Sequence, residues 1–351
     1  MKEVIYNIHG LVSISATGNR EMISSLDSHI GMFRTDSASN NTDIVILPFS
    51  DFSGNRNGEA LDDWVFSENF AIRESRNLAF NLLGEKVILY ADRLELPINL
   101  LIEMALLKVG CTFVHSAGIQ RKNSGILFPA PPGVGKTTTV ALLVRNENLL
   151  LGDDLCILGP GKIWSYPQSL SVYPYHRDVL PKLKFKHQIR LSIITAKNSL
   201  VPKGSGFFSR AFRLAMSLAI PNCLSIDPTE VFGRHAMIDS APLSAVIFLQ
   251  RRKSALSLNL TLPDENAIEG SAKILWHEWH ANFHEVLLLD ALMYGPHWLE
   301  SLISQTESII SQAITNVPIR KIEIPADWKA ADLADHDSNF LGSIDSALEG
   351  K

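Results

Sequence analysis

The stretch that decides the fold is Ala130-Pro131-Pro132-Gly133-Val134-Gly135-Lys136-Thr137-Thr138. It matches the phosphate-binding pattern GxxxxGK[ST] at every fixed position except the first, where alanine replaces glycine. The predicted strand Gly125–Phe128 leads into it, and the predicted helix Lys136–Arg145 leads out of it. A chance glycine-rich turn would lack this context, so the sequence predicts a nucleotide-binding loop within an α/β domain.

Each residue type in this loop suits the binding of phosphate. Gly133 and Gly135 let the backbone approach an anion closely, and the N–H groups that follow point at it from the start of a helix, whose dipole favours negative charge. Lys136 supplies a mobile positive charge for the terminal phosphates, and the Thr137 hydroxyl can bind Mg²⁺. The predicted nucleotide-binding residues are Gly133, Val134, Gly135, Lys136, Thr137 and Thr138.

Two adjacent carboxylates, Asp153 and Asp154, lie downstream in the apolar run Leu149–Leu158. We expect this run to be one strand, on which neighbouring side chains point to opposite faces. A buried carboxylate needs a partner or a metal ion. One of the pair could hold Mg²⁺, and the other could accept a proton from an attacking hydroxyl. The alternative is an Asp-Asp turn between two short strands.

The interval between the loop and the acidic pair separates classes of nucleotide-binding protein. Asp153 follows Lys136 by only 17 residues, whereas ring-forming ATPases place their acidic strand many tens of residues after the loop and end it in Asp-Glu. The short interval to an Asp-Asp pair resembles the HPr kinase/phosphorylase family, whose nucleotide domain is related to phosphoenolpyruvate carboxykinase. That family also carries a histidine on the strand before the loop, and here His115 precedes Ala130 by 15 residues.

The resemblance implies a role for each matching residue. Lys136 and the loop amides would bind the β- and γ-phosphates of ATP, and Thr137 with Asp154 would bind Mg²⁺. Asp153 would be the general base toward a substrate hydroxyl, and His115 would orient Asp153 or contact the transferring phosphoryl group. The implied catalytic residues are therefore Asp153, His115 and Lys136, although the sequence does not settle which aspartate is the base and which faces the metal.

The resemblance covers roughly residues 110–160 and is weaker elsewhere. Bacterial HPr kinases carry a Gly- and Arg-containing signature after the acidic strand, and the corresponding stretch here, SYPQSLSVYPYHRDV at 165–179, does not match it. The first hundred residues also lack that family's usual N-terminal domain. These departures favour a diverged kinase that acts on another hydroxyl, such as free serine or the serine of a ribosomally made peptide precursor, for example a lasso peptide.

Two other functions stay open. A regulatory protein could bind nucleotide, hydrolyse it slowly or not at all, and signal by changing shape. A carboxykinase-like enzyme acting on a carboxylic acid is disfavoured, because the chain lacks the length and the Arg-rich carboxylate site of that group. Nucleotide preference and any reverse phosphorylase activity are left undetermined.

Two further clusters have structural interpretations. Lys182, Lys184 and Lys186 alternate, so on a strand they would line one face and protect a solvated sheet edge or steer an acidic peptide. A further strand is predicted at Arg190–Thr195. The histidines at 277, 280 and 284 would share one helix face and could hold zinc. The Trp and Phe residues interleaved with them favour a packed structural helix instead.

Composition and charge exclude several classes of protein. The chain has 351 residues, of which 46% are hydrophobic and 20% charged, as in globular proteins with a sizeable core. The net charge of -5 argues against a uniformly basic nucleic-acid binder. No apolar run reaches the roughly 18 residues of a membrane span, and three cysteines without a CxxC pair favour a reducing compartment. We expect a soluble, cytoplasmic protein with no nucleic-acid or membrane partner, for which a homo-oligomer is compatible with the sequence.

Three consecutive regions are expected along the chain. Residues 1–95 form a smaller β-rich N-terminal region, with strands at Val4–Ser15, Asp43–Phe49 and Lys86–Tyr90. Residues 96–325 form the α/β (α+β) kinase domain, which opens with the helix Pro97–Leu107. Residues 326–351 are expected to be a polar, peripheral tail.

Overall fold

The computed structural model describes residues 3–37, 42–61, 63–67, 70–82, 84–94, 98–131, 133–181, 183–200, 220–263 and 297–349, together with Arg210 and Met216. Over these residues the protein is mixed α/β, as expected. The chain divides into two units: residues 1–114, 157–160 and 266–313, and residues 115–156, 161–265 and 314–351. The units interleave along the chain, whereas the sequence suggested consecutive regions divided at residues 96 and 326.

The described helices are eight: α1 Arg20–Ile30, α2 Ile98–Lys108, α3 Lys136–Arg145, α4 Phe185–Leu200, α5 Pro228–Phe232, α6 His297–Ile314, α7 Ala330–Asp335 and α8 Asp337–Leu348. The predicted bounds of α3 agree with the structure at both ends, and those of α2 agree to within one residue. None of the described helices is long and apolar enough to cross a membrane.

Nine strands form the sheet of the first unit: β1 Glu3–Ile8, β2 Val12–Thr17, β3 Arg34–Thr35, β4 Ile44–Leu47, β5 Glu59–Leu61, β6 Trp64–Phe66, β7 Ala71–Arg73, β8 Leu78–Asn81 and β9 Val87–Ala91. Their order is β3-β1-β2-β4-β9-β8-β7-β6-β5, and β4 is parallel to both of its neighbours. The predicted strand Val4–Ser15 is two strands, because His9 and Gly10 take positive φ angles of 54° and 72° and reverse the chain.

A buried carboxylate marks the core of the first unit. Glu103 in α2 accepts hydrogen bonds from the Thr112 hydroxyl and from the Phe113 N–H, the latter at 2.8 Å. Burial raises the pKa of Glu103 to about 7, although the hydrogen bonds from Thr112, Phe113 and Thr306 act to lower it. Glu103 is therefore close to half-protonated at neutral pH.

The remaining strands form an eight-stranded sheet, most of whose residues belong to the second unit, and a separate antiparallel pair. The strands are β10 Thr112–Arg121, β11 Ser124–Pro129, β12 Leu149–Gly152, β13 Leu155–Gly159, β14 Lys162–Ser165, β15 Leu170–Val172, β16 Leu224–Ile226, β17 Ser240–Arg252, β18 Asn259–Thr261 and β19 Ile319–Pro325. Strand β17 runs parallel to β11 on one side and to β19 on the other. These three strands therefore end at one edge of the sheet, where open α/β sheets usually bind ligands.

The segment after residue 326 is not the polar, peripheral tail expected from its composition. It forms α7 and α8, and Leu333, Phe340 and Ile344 are buried in the hydrophobic core of the second unit. Arg121 on β10 holds Asp345 of α8 through two hydrogen bonds of 2.8 Å. The sparse apolar residues of this segment fall at helical spacing, so a few large side chains suffice to anchor it.

Two predicted strands differ in the structure. The run Leu149–Leu158 is two strands, β12 and β13, with Asp153 and Asp154 in the bend between them. Arg190–Thr195 lies within helix α4, whose buried residues include His187, Leu191 and Ile194 at i, i+4 and i+7. The helical spacing of these side chains outweighs the β propensity of the Ile-Ile-Thr run.

The basic residues near α4 consequently do not line a sheet edge. Lys184 and Lys186 pair with Oε1 of Glu230 at 3.2 and 3.3 Å, and His187 Nε2 lies 2.8 Å from Oε2 of the same carboxylate. Lys182 and the histidine cluster at 277–284 lie outside the described residues.

Candidate functional site

The loop of residues 130–135 joins the end of β11 to the start of α3. Gly133 and Gly135 have φ angles of 79° and 125°, which side-chain-bearing residues rarely adopt. The space beside Gly133 is open, since an added Cβ would meet no atom within 4 Å. Ala130 is not among the positive-φ residues, so its backbone does not require the glycine of the usual pattern. The first-turn N–H groups of α3 have no partners within the helix and are placed to meet an anion.

Lys136 folds back over the start of its own loop. The side chain is buried, and Nζ donates a hydrogen bond to the Ala130 carbonyl at 2.9 Å. Nζ also contacts Nε2 of His115, which must act as the acceptor because an ammonium group can only donate. Asp154 completes the group, with Oδ1 at 3.4 Å from Lys136 Nζ and 3.6 Å from His115 Nε2.

The two aspartates lie in different environments. Asp153 is only 8% exposed, and its Oδ2 accepts a hydrogen bond from the Thr137 hydroxyl at 2.8 Å. Its Oδ1 is buried and has no hydrogen-bond partner among the described residues. The side chain of Asp154 is 53% exposed. The two carboxylates differ in exposure because they lie in a bend. From the sequence we expected them to point to opposite faces of one strand.

Burial raises the pKa of Asp153 from 3.8 to about 6. The hydrogen bond from Thr137 opposes this shift, the negative charge of Asp154 adds to it, and the electrostatic effects of Lys136 and, least of all, His115 oppose it. Asp153 is therefore ionised at neutral pH but remains basic enough to take up a proton close to neutrality.

The structure brings together all the predicted catalytic and metal-binding residues. His115, Lys136, Thr137, Asp153 and Asp154 are linked by the contacts above, although they come from three separate segments. The expected grouping of Thr137 with Asp154 is not the hydrogen-bonded pair, because Thr137 bonds to Asp153 instead.

A cavity of about 630 Å³ opens over the loop, which is within the usual range for ligand pockets. The loop side is formed by Gly133, Gly135, Lys136, Thr137 and Thr138, together with Asp154. The remaining lining residues were not predicted from the sequence: Ser171, Tyr173, Tyr175, His176, Arg251, Trp328, Lys329 and Ala330. They belong to segments far apart in the chain and match no short motif.

Arg251, near the end of β17, ties the loop to the end of β19. Its Nε donates to the Val134 carbonyl at 3.1 Å, and Nη1 donates to the carbonyls of Pro325, at 3.3 Å, and Trp328. Because a trans peptide unit directs its C=O and N–H oppositely, holding the Val134 carbonyl also fixes the direction of the Gly135 N–H. Arg251 therefore orients one of the groups that would face a phosphate.

The metal-binding capacity of this site is limited to a few oxygens. Within the described residues there is no group of three or more His, Cys, Asp or Glu side chains that could hold a metal ion. The Thr137 hydroxyl and the two carboxylates remain as hard oxygen donors. Such a set suits Mg²⁺, which is commonly bound by one or two carboxylates, by substrate phosphates and by water.

Comparison with known proteins finds no matching protein-family model and no matching curated protein. The geometry of the cavity and the motif at residues 130–138 are therefore the observations that bear on function.

Proposed function

We propose that this protein is an ATP- and Mg²⁺-dependent kinase with an HPr kinase-like P-loop nucleotide domain. It transfers a phosphoryl group to a hydroxyl acceptor, the serine of a peptide or protein or free serine. One observation carries the proposal: a lysine, a threonine hydroxyl and two carboxylates in different environments meet at the loop that precedes α3. These are the groups that phosphoryl transfer requires.

The loop and Lys136 bind the phosphates. The N–H groups at the start of α3 face the triphosphate, and Arg251 keeps that of Gly135 in position through the Val134 carbonyl. Lys136 exchanges its hydrogen bond to the Ala130 carbonyl for the terminal phosphates, where its charge offsets theirs.

Thr137 and Asp154 would hold Mg²⁺ through their side-chain oxygens. When bound, Mg²⁺ would supply positive charge that offsets the negative charge developing on the transferred phosphoryl group. The carboxylate of Asp154 is half-exposed and already lines the cavity.

Asp153 accepts the proton of the acceptor hydroxyl. Its Oδ1 is buried, whereas its Oδ2 bonds to Thr137, a residue of the cavity lining, so the proton goes to Oδ2 as the acceptor hydroxyl takes the place of Thr137. The acceptor oxygen forms a bond to the γ-phosphorus as the bond to the β,γ-bridging oxygen breaks, and ADP leaves. His115 accepts a hydrogen bond from Lys136 and so keeps this lysine in place, and Lys136 in turn pairs with Asp154.

The test is an intact-mass measurement on a panel of acceptors incubated with ATP and Mg²⁺. The panel contains HPr, free serine and the precursor peptides encoded beside the gene. Lys136→Ala removes the phosphate-binding charge, and Lys186→Ala, a half-exposed lysine on α4, is the matched control.

We expect one acceptor to gain the mass of one phosphate with the unmodified chain and with Lys186→Ala, but not with Lys136→Ala. Mg²⁺-dependent binding of ATP without transfer to any acceptor in the panel would contradict the kinase proposal and favour the regulatory alternative.

A further inference from the structure

The cavity has an aromatic wall that the phosphate chemistry does not use. Tyr173 and Tyr175 come from the segment that follows β15, and Trp328 follows β19. All three side chains line the same cavity as the loop. Aromatic side chains next to a phosphate site favour a ligand with a flat apolar surface, on which their rings can stack.

Neighbouring aromatic rings hold Tyr175 in place although about half of the residue is exposed to solvent. Its ring stacks on Tyr173, with centroids 5.3 Å apart and planes 10° apart, and lies edge-on to His176 at 4.4 Å. Nδ1 of His176 accepts a hydrogen bond from the Tyr173 N–H at 3.2 Å, which fixes the turn. Tyr175 is nevertheless 53% exposed, so an ordered aromatic surface faces the cavity.

Trp328 is fixed in a comparable way. Its indole ring packs against His336, with centroids 4.4 Å apart, and its carbonyl accepts a hydrogen bond from Arg251. Because Arg251 also holds the Val134 carbonyl, the position of Trp328 is coupled to that of the loop. The second aromatic surface is therefore preorganised together with the phosphate site.

The direction of a bound triphosphate places its nucleoside near this wall. Lys136 and Asp154 line the cavity, and in loops of this type the lysine reaches the terminal phosphates while the loop backbone holds the first ones. Strand β15, which leads into Tyr173, contacts α3. A nucleoside that leaves the first phosphate therefore continues along the side of the cavity that carries the tyrosines.

We propose that the base of the nucleotide stacks on the exposed ring of Tyr175, with Trp328 as a second aromatic surface. The ligand class is a nucleoside triphosphate, and Tyr175 supplies affinity that the triphosphate alone does not have. This inference rests on the proposed function, because it requires the triphosphate to lie on the loop.

The experiment measures the dissociation constants of MgATP and of magnesium tripolyphosphate by calorimetry. Tripolyphosphate carries the phosphates without a base, so it reports on the loop alone. The variants are Tyr175→Ala, Tyr175→Phe and Lys136→Ala, and Phe185→Ala is the control because Phe185 is an exposed aromatic residue outside the cavity lining.

We expect the unmodified chain to bind MgATP more tightly than magnesium tripolyphosphate. Tyr175→Ala should raise the Kd of MgATP by about 10- to 100-fold, the usual effect of losing one base–aromatic stack, and leave that of tripolyphosphate unchanged. Tyr175→Phe, which keeps the ring, should bind MgATP within about twofold of the unmodified chain, as should Phe185→Ala. Unchanged tripolyphosphate binding also establishes that Tyr175→Ala is folded.

Failure of the inference and failure of the proposed function give different results. If Tyr175→Ala binds MgATP as tightly as the unmodified chain, or if MgATP binds no more tightly than tripolyphosphate, the stacking proposal is wrong while the phosphate site stands. If neither ligand binds, or if Lys136→Ala binds both normally, the proposed function itself is wrong, and the stacking proposal with it.

Discussion

Asp153→Asn should change how the stability of the protein depends on pH. Burial raises the pKa of Asp153 from 3.8 to about 6, so between these values the folded state binds a proton that the unfolded state releases. The stabilisation is complete below about pH 4 and is lost as the pH rises through 6. A shift of about two pKa units corresponds to about 3 kcal/mol of unfolding free energy.

The asparagine variant lacks this titration. Its carboxamide oxygen can still accept the Thr137 hydrogen bond, but its N–H₂ group takes the place of an oxygen that has no partner, at a cost of about 1–3 kcal/mol. This cost does not depend on pH. The difference in stability between the unmodified chain and Asp153→Asn should therefore decrease by about 3 kcal/mol between about pH 4 and pH 7.5.

The assay is urea unfolding followed by tryptophan fluorescence at both pH values, with a chelator present to remove divalent cations. Asp335→Asn is the control, because Asp335 is an exposed aspartate outside the cavity lining. A stability difference between the unmodified chain and Asp153→Asn that is the same at both pH values would refute the reasoning about the buried carboxylate.

Three further substitutions test other parts of the structure. Arg251→Met leaves the Val134 carbonyl without its hydrogen-bond donor. It should weaken MgATP binding by about tenfold, measured by calorimetry, and reduce the free energy of unfolding by about 1–3 kcal/mol, measured by urea unfolding. Unchanged MgATP binding would contradict the positioning role of Arg251. The free energy of unfolding of the unmodified chain should fall by about 3 kcal/mol as the pH rises from about 4.5 through 7, because burial raises the pKa of Glu103 to about 7. Glu103→Gln should not show this fall, and identical pH profiles of urea unfolding for the two chains would contradict this. Phe340→Ala should lower the free energy of unfolding by about 3–5 kcal/mol, measured by urea unfolding, because Phe340 is buried. A decrease of less than about 1 kcal/mol would show that α8 is peripheral.

The loop could be predicted from the sequence because its constraints are local. The φ angles of Gly133 and Gly135 and the start of α3 at Lys136 are requirements of the short motif itself. The resemblance to the HPr kinase/phosphorylase family implied that His115 and the two aspartates lie at the loop, and the structure brings these residues together.

The acidic bend was only the alternative in the sequence analysis, although the sequence contains a signal that favours it. A Cβ at Gly152 would lie 2.3 Å from the Leu155 carbonyl oxygen, so the tight bend requires glycine at this position. The sequence Gly-Asp-Asp is therefore typical of a turn, but the apolar residues on both sides of it favoured the prediction of one continuous strand. The residues of the opposite wall could not be found in this way. Arg251 and Trp328 meet the loop only because β11, β17 and β19 end at one edge of the sheet.

The central claim is tested most directly by following ADP formation and acceptor phosphorylation in one reaction, with the unmodified chain and with Asp153→Asn. The account predicts equal molar amounts of ADP and phosphorylated acceptor with the unmodified chain, and neither product with Asp153→Asn, which should still bind MgATP. ADP that forms without phosphorylated acceptor, or transfer by Asp153→Asn at the unmodified rate, would contradict it.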